Sequence, residues 1–340
     1  MKKILVTGGL GYIGSHTVVE LQNAGFEVVI IDNLSNSSLD VLGGITNITS
    51  QPPTFERLDL RNKSKVTEFF KLHKNIEGVI HFAASKAVGE SVKNPLLYYE
   101  NNINTLVYLL QECKAHKINN FIFSSSCTVY GEPDSLPITE TAPVKKAMSP
   151  YGNTKQINEE ILIDTCASSQ LQSIALRYFN PIGAHETAEI GELPIGVPQN
   201  LVPFITQSAA GIREQLSVFG NDYNTPDGSC IRDYIHVVDL AKAHVVALQR
   251  LLEQKNKSSF EVFNIGTGQG NSVFEVIKAF ENVTGKKLNY NVVERRSGDV
   301  TAVYADTTKA NEELGWKAEK TIQQALASAW KWEQKIRNKA

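Results

Sequence analysis

The chain has 340 residues, 42% of them apolar and about 49% once its 23 glycines are added, which is an ordinary globular balance. Charged residues make up 21% and the net charge is -2, from 34 basic and 36 acidic groups. That excludes a disordered chain and leaves no basic footprint for a nucleic acid. Cys113, Cys127, Cys166 and Cys230 form no CxxC and show no metal-ligand spacing. Reduced thiols and no metal are therefore expected. The apolar start at Ile4-Leu5-Val6 meets Gly8 and Gly9 too early for a signal peptide, and no run approaches a membrane span. A soluble cytoplasmic protein with no membrane partner is expected. This length carries a soft prior of two domains.

In chain order, residues 4–7 read as a strand, followed by a glycine turn and a helix at 15–24. Strands follow at 27–32 and 55–60, a helix at 65–73 and a strand at 78–84. A helix at 95–117, a strand at 120–126, a helix at 150–167 and a strand at 173–180 complete the first half. Short continuous Val/Ile/Leu/Phe strands alternating with helices predict a parallel sheet covered on both faces, hence an α/β, doubly wound Rossmann domain over 1–180. Residues 182–200 are a Gly/Pro-rich loop. A helix near 200–211, strands at 216–219, 231–237 and 261–266, and helices at 238–252 and 321–338 follow. They read as a smaller C-terminal α/β substrate domain over 181–340, some of whose elements could return to the large sheet.

Thr7-Gly8-Gly9-Leu10-Gly11-Tyr12-Ile13-Gly14 lies directly after a strand and opens a helix, satisfying both GxxGxxG and GxGxxG. Without Cβ atoms the backbone can approach a pyrophosphate, which the helix N-terminus stabilises, and Gly14 allows close helix–strand packing. Asp32 ends the second strand eighteen positions after Gly14. A carboxylate there accepts bonds from both adenine-ribose hydroxyls and repels a 2′-phosphate, so NAD is expected, not NADP. Asp59, read as a strand end, either bonds the adenine amine or is simply solvated.

Tyr151 and Lys155 stand four apart in Ser149-Pro150-Tyr151-Gly152-Asn153-Thr154-Lys155. Ser149 suits an N-cap and Pro150 a first helical residue, which places Tyr151 in the first turn with Lys155 on its face. A phenol near pKa 10 is a poor base at neutral pH. The ammonium, the helix end and a nicotinamide cation would each lower it. YxxxK alone is a common exposed helix pair; its weight comes from the glycine turn and from Ser124-Ser125-Ser126, where a strand end faces the ligand crevice.

Together these features resemble the extended short-chain dehydrogenase/reductase superfamily. Further stretches closely resemble the UDP-glucose (UDP-galactose) 4-epimerase family within it, from residue 1 to about 335. They are Phe82-Ala83-Ala84-Ser85-Lys86-Ala87-Val88-Gly89-Glu90-Ser91, Arg177-Tyr178-Phe179-Asn180-Pro181-Ile182-Gly183-Ala184-His185, Phe219-Gly220-Asn221-Asp222-Tyr223 and Ile231-Arg232-Asp233-Tyr234-Ile235-His236-Val237. The resemblance implies an isomerase that keeps NAD bound, oxidises the sugar at C4, lets the 4-keto sugar turn over and reduces its opposite face. Tyr151 would exchange the proton of the 4-hydroxyl, Lys155 would lower the tyrosine pKa and hold the nicotinamide ribose, and Ser126 would bond the sugar oxygen. Cofactor contacts implied are Gly8, Gly11, Tyr12, Ile13, Gly14, Asp32, Asn33, Leu34, Ser35, Asn36, Ser37, Asp59, Leu60, Phe82, Ala83, Ala84, Lys86, Asn101 and Phe179, besides the catalytic trio. On the UDP side it implies Asn180, Asn200, Arg232, Arg296 and Asp299, with Ser217, Val218 and Phe219 lining the uracil. Guanidinium forks suit a diphosphate. Relatives pair as homodimers through helices at about 95–115 and 150–167.

One departure concerns Val303, where members restricted to unacetylated sugars tend to carry Tyr. Space there implies that UDP-N-acetylglucosamine and UDP-N-acetylgalactosamine are accepted too. Ala84-Ser85 replaces a commoner Gly-Leu. Nucleotide-sugar 4,6-dehydratases place a carboxylate just before Val-Tyr-Gly, whereas this chain has Cys127-Thr128 before Val129-Tyr130-Gly131. UDP-glucuronate 4-epimerases fit the UDP-side residues less well. A non-catalytic NAD-sensing regulator would commonly lose Tyr151 or Lys155. A simple dehydrogenase would release NADH at each turnover.

Overall fold

A computed structural model describes residues 1–296 and 299–338. The apolar runs form strands β1 (Lys3–Thr7), β2 (Glu27–Asp32), β3 (Thr54–Arg57), β4 (Ile76–His81), β5 (Asn120–Ser124) and β6 (Gln172–Tyr178). Between them lie helices α1 (Tyr12–Asn23), α2 (Asp40–Thr49), α3 (Lys63–Leu72), α4 (Val88–Lys93), α5 (Pro95–His116) and α6 (Pro150–Ala167). The second half adds β7 (Asn180–Ile182), α7 (Leu201–Ala209), β8 (Leu216–Phe219), β9 (Ile231–His236), α8 (Val237–Leu252) and β10 (Phe260–Ile265). β11 (Gly270–Ser272), α9 (Val273–Thr284), β12 (Tyr290–Val293), β13 (Ala302–Val303) and α10 (Ile322–Asn338) complete it.

The described residues form a seven-stranded, all-parallel sheet in the order β10-β6-β5-β4-β1-β2-β3. One face is covered by α1, α2 and α8 through Val18, Val19, Ile45, Leu240 and Leu248. The other is covered by α3, α5 and α6 through Phe69, Phe70, Leu106, Leu109 and Leu162. Strand order reverses between β1 and β4, which opens a crevice at the strand C-termini. A smaller sheet, β11-β9-β13 with β7 beside β9, and the parallel pair β12-β8 lie beyond. There α7, α9 and α10 bury Val202, Ile205, Val276, Phe280 and Leu326. The chain recrosses residue 180, since α8 and β10 belong to the large sheet's layers.

Sequence and structure differ mainly where the chain leaves the sheet. The strands expected at 55–60, 78–84 and 120–126 end at Arg57, His81 and Ser124, so Asp59, Phe82 to Ala84 and Ser126 lie in crevice loops. The strand expected at 173–180 splits at Phe179 into β6 and β7, and Asn180 moves across to pair with Tyr234 of β9. Helix α1 begins at Tyr12, not Ser15, because Ser15 N already bonds Gly11 O at 2.9 Å. Among the described residues no helix is long and apolar enough to cross a membrane, and no cluster of His, Cys, Asp or Glu is arranged to hold a metal ion.

Candidate active site

The turn after β1 is built by backbone proximity. Gly8 sits at φ +69°, and a Cβ there would lie 2.8 Å from Ala83 N; one at Gly14 would lie 2.2 Å from Gly8 O. Gly11 N bonds Gly8 O at 3.1 Å and closes the turn. Among the described residues no side chain caps α1, and its first turn, which contains Tyr12, Ile13 and Gly14, holds no acidic residue. A helix start with free N–H groups, an uncompensated dipole and no Cβ in the way fits a pyrophosphate.

Asp32 is 8% exposed at the end of β2. It accepts hydrogen bonds from Leu10 N (3.1 Å), Leu34 N (2.9 Å) and the Ser37 hydroxyl (2.8 Å). Leu34 is held at φ +63°, a left-handed conformation unusual for leucine and of the sort found at ligand sites. Asn33 accepts from Ser35 N at 3.0 Å, and Ser35 and Asn36 are exposed. The Asp59 carboxylate is a partner of Arg61 Nε (3.0 Å) and Nη2 (2.7 Å) and of Asn33 Nδ2 (3.3 Å), which holds its pKa down at about 2. Neither sequence reading of Asp59 included that ion pair. Leu60 is buried beside it. Across the turn, Phe82 lies 4.6 Å from the His244 ring, Ala83 N faces Thr7 Oγ1 at 3.4 Å and Ala84 is half-buried. Asn101 donates to Ser85 Oγ at 3.0 Å, and Lys86 is exposed.

The residues of α6 are brought in from the other side. Ser149 Oγ accepts from Gly152 N at 3.1 Å, and Pro150 occupies the first turn, the cap read from the sequence. Tyr151 and Lys155 are 8% and 3% exposed. The Lys155 ammonium donates to Ser124 O at 2.6 Å and sits 4.8 Å from the Phe123 ring centroid and 5.8 Å from that of Tyr151. Burial pushes the Tyr151 phenol well above its ordinary value, with only the Ser126 hydroxyl working the other way among the main influences. Burial also lowers Lys155 to about 8. Burial dominates the phenol in this geometry, and the Lys155 ammonium is held on the Ser124 carbonyl. Tyr178, absent from the sequence-derived set, belongs here; its hydroxyl shares a 2.7 Å bond with Ser124 Oγ, and it and Cys127 both act on Tyr151. Its place at the end of β6 was the available signal.

Of the nucleotide-side candidates, Arg232, Arg296, Asp299, Phe219 and Val303 lie together. Arg232 and Arg296 bracket Asp299, with Arg296 Nη2 at 2.7 Å and Arg232 Nη2 at 3.7 Å from Oδ1. Arg296 also lies 5.6 Å from the ring of Phe219, which is 42% exposed, while Val218 is buried and Ser217 half-buried on β8. Val303 pairs with Arg232 across β13–β9 and packs in one cluster with Phe179, Tyr130 and Ile138. Asn180 lies on β7, and Asn200 precedes α7, donating to Glu192 Oε1 at 2.9 Å. Glu192 was missed; burial raises its pKa, and Lys86 across the cleft opposes that rise.

A phosphate-ready glycine turn, an acidic residue ending β2 and a Tyr/Lys helix on one crevice define a dinucleotide-binding class of proteins. The GDP-mannose 4,6 dehydratase family model matches residues 5–329. UDP-glucose 4-epimerase of Bacillus subtilis is 50% identical over 97% of this chain and 96% of its own. A crystal structure of UDP-glucose 4-epimerase from Stenotrophomonas maltophila with bound NAD and formylated UDP-arabinopyranose is 46% identical, with TM-score 0.96 and both chains covered fully (100%). That from Bifidobacterium longum in complex with NAD+ and UDP is also 46% identical, with TM-score 0.94 and 99% of each chain covered. Within the class that this model describes, the chain belongs to the UDP-glucose 4-epimerase family.

Proposed function

We propose that this chain interconverts UDP-glucose and UDP-galactose at C4 with NAD held in the β1–β4 crevice. The observation that carries this is the meeting of two halves at one strand-end: the Gly8–Gly14 turn with Asp32, and the buried Tyr151–Lys155–Ser126 set. NAD bound there supplies a reversible hydride acceptor for sugar C4. Gly11 to Gly14 and the α1 N-terminus hold its pyrophosphate, and Asp32 its adenine ribose.

Tyr151 takes the proton of the sugar 4-hydroxyl and returns it. Burial favours the neutral phenol, and the Ser126 hydroxyl works against that. Ser126 orients the phenol and the sugar oxygen, and Lys155 stabilises the phenolate as it forms. Arg232 and Arg296 grip the diphosphate, and Asn180, Asn200 and the 217–219 segment grip the rest of the nucleotide, which leaves the sugar free to turn over its 4-keto form. Val303, shorter than a tyrosine, leaves space for an acetamido group, so the N-acetylated UDP-sugars are substrates too. Elimination chemistry is disfavoured because residues 127–130 carry no carboxylate.

Two such chains pair through α5 and α6. Leu96 (80%), Leu97 (38%) and Ile163 (46%) on these helices are exposed. Light scattering behind a sizing column tests the pairing. Turnover of all four UDP-sugars without added cofactor tests the reaction. Tyr151→Phe is expected to lose at least about a hundredfold in kcat, the size of a general acid–base contribution, while keeping its nucleotide. Undiminished epimerisation in that variant overturns the assignment.

A further inference from the structure

Helix α6 does not follow the ordinary rule for a packed helix, because the side it buries near the crevice is polar: Tyr151, Thr154, Lys155, Asn158 and Glu159. Glu159, one turn beyond Lys155, is 4% exposed and bound from two strands. Arg177 of β6 donates to it through Nε at 3.0 Å and through Nη2, and Ser125, just beyond β5, donates its hydroxyl to the same carboxylate. Arg177 lies 4.7 Å from the Tyr130 ring, and the Tyr130 hydroxyl reaches Asn264 of β10 at 2.6 Å. The three serines after β5 thus divide their work. The Ser124 carbonyl takes Lys155, Ser125 takes Glu159 and Ser126 meets Tyr151.

A buried ion pair is weak evidence of stability, since apolar residues of the same volume often serve as well. Its position suggests another purpose. The groups around the Lys155–Tyr151 pair are His81 from β4, Tyr178 from β6, Cys127 from the turn at 127–130, Tyr98 from α5 with the exposed Glu90 bonded to it, and Glu159, behind which stand Arg177 and Tyr130. Glu159 is the buried anion in that set.

Resting on the reading given above, we propose that Glu159, held by Ser125 and Arg177, is a positioning residue that keeps the Lys155 ammonium charged and sets the alkaline limit of the reaction. Desolvation drives Lys155 down to about 8, and the Glu159 charge is what pulls against it. Arg177 neutralises the carboxylate from the far side and fixes its direction.

The test is the pH profile of kcat beside a titration of the Lys155 side chain by NMR in protein carrying isotope-labelled lysine, assigned with Lys155→Met. In Glu159→Gln the alkaline limb and the Lys155 midpoint are both expected to move to lower pH by about one unit or more, the usual effect of one neighbouring charge. Glu159→Gln strands Arg177, so Glu159→Gln/Arg177→Gln is the second variant. Its midpoint is expected to fall by less, because a repelling cation leaves with the nearer anion. A uniform loss of activity with the profile in place, or a Lys155 midpoint unmoved in whichever variants fold, overturns the proposal. If no UDP-sugar turns over but the midpoint falls, the functional reading fails and the coupling between Glu159 and Lys155 stands.

Discussion

Replacing Gly14 with Ala tests the dinucleotide turn from inside. An ideal Cβ at that position lies 2.2 Å from Gly8 O, 2.9 Å from Gly9 Cα and 3.0 Å from Gly8 C. All three are backbone atoms, so no side chain can swing aside. Relief requires the start of α1 to move away from the turn that closes on it. Overpacking of this kind costs about 1–3 kcal/mol. The N–H groups at the α1 start move with the methyl, so the same amount is expected to be lost from pyrophosphate binding, a weakening of about 5- to 150-fold. Gly43→Ala in α2 is the control, because its Cβ would meet nothing within 4 Å. In an exposed helix interior that change is expected to stabilise by about 0.5–1 kcal/mol. The assay is the nucleotide released from purified protein on denaturation, measured with the urea midpoint of each variant. Full nucleotide content and an unshifted midpoint in Gly14→Ala would refute the close-approach argument.

Val303→Tyr is expected to abolish turnover of the N-acetylated UDP-sugars and spare UDP-galactose; equal loss of both in side-by-side assays rules out the steric account. The fold is also expected to be acid-labile. Burial lowers His16, His81 and His236 to about 3 and His244 to about 4. Their folded pKa values lie below the unfolded value near 6.5, so the unfolded chain binds the extra protons, and stability is lost as pH falls from 6.5 toward 3. By pH 5 each contributes a loss of about 2 kcal/mol. Urea midpoints that stay level between pH 6.5 and pH 5 would contradict this.

What was legible in the sequence was local. The glycine turn, the Ser149-Pro150 cap and the strand ending at Asp32 each announce themselves within a few residues, because their geometry is imposed by neighbours along the chain. Helix α9 was equally local and was passed over: Ser272 and Glu275 form a capping box, and Gly285 ends the helix in the left-handed region. Helix α2 was obscured by Gly43 and Gly44. The second of these is explained only by a distant contact, since a Cβ there would lie 2.5 Å from Glu189 O. Tyr178, Glu192 and the Glu159–Arg177 pair depend on strands and loops far apart in sequence. Hydrophobic periodicity is blind to Glu159 because it assumes that what a helix buries is apolar.

The two ends of the crevice also differ in how they hold charge, in a way that suits a ligand gripped at one end and released at the other. Around Tyr151 and Lys155 the polar groups are buried, and the strand-end serines meet the ammonium, Glu159 and the phenol. At the nucleotide end, the Arg296 side chain is 53% exposed and the Arg232 side chain 17% exposed, each facing the same Asp299 oxygen. A carboxylate between two guanidinium groups keeps them apart and aligned before any ligand arrives. On the proposed reading, a diphosphate entering there would meet two forks whose shared partner it supplements with more negative charge and more acceptor oxygens. The Arg296 fork is the water-facing one, while Arg232 and the Asp299 carboxylate are largely covered. In the proposed reaction affinity would therefore collect on the nucleotide end, while Val303 and Phe179 belong to an apolar cluster with Tyr130.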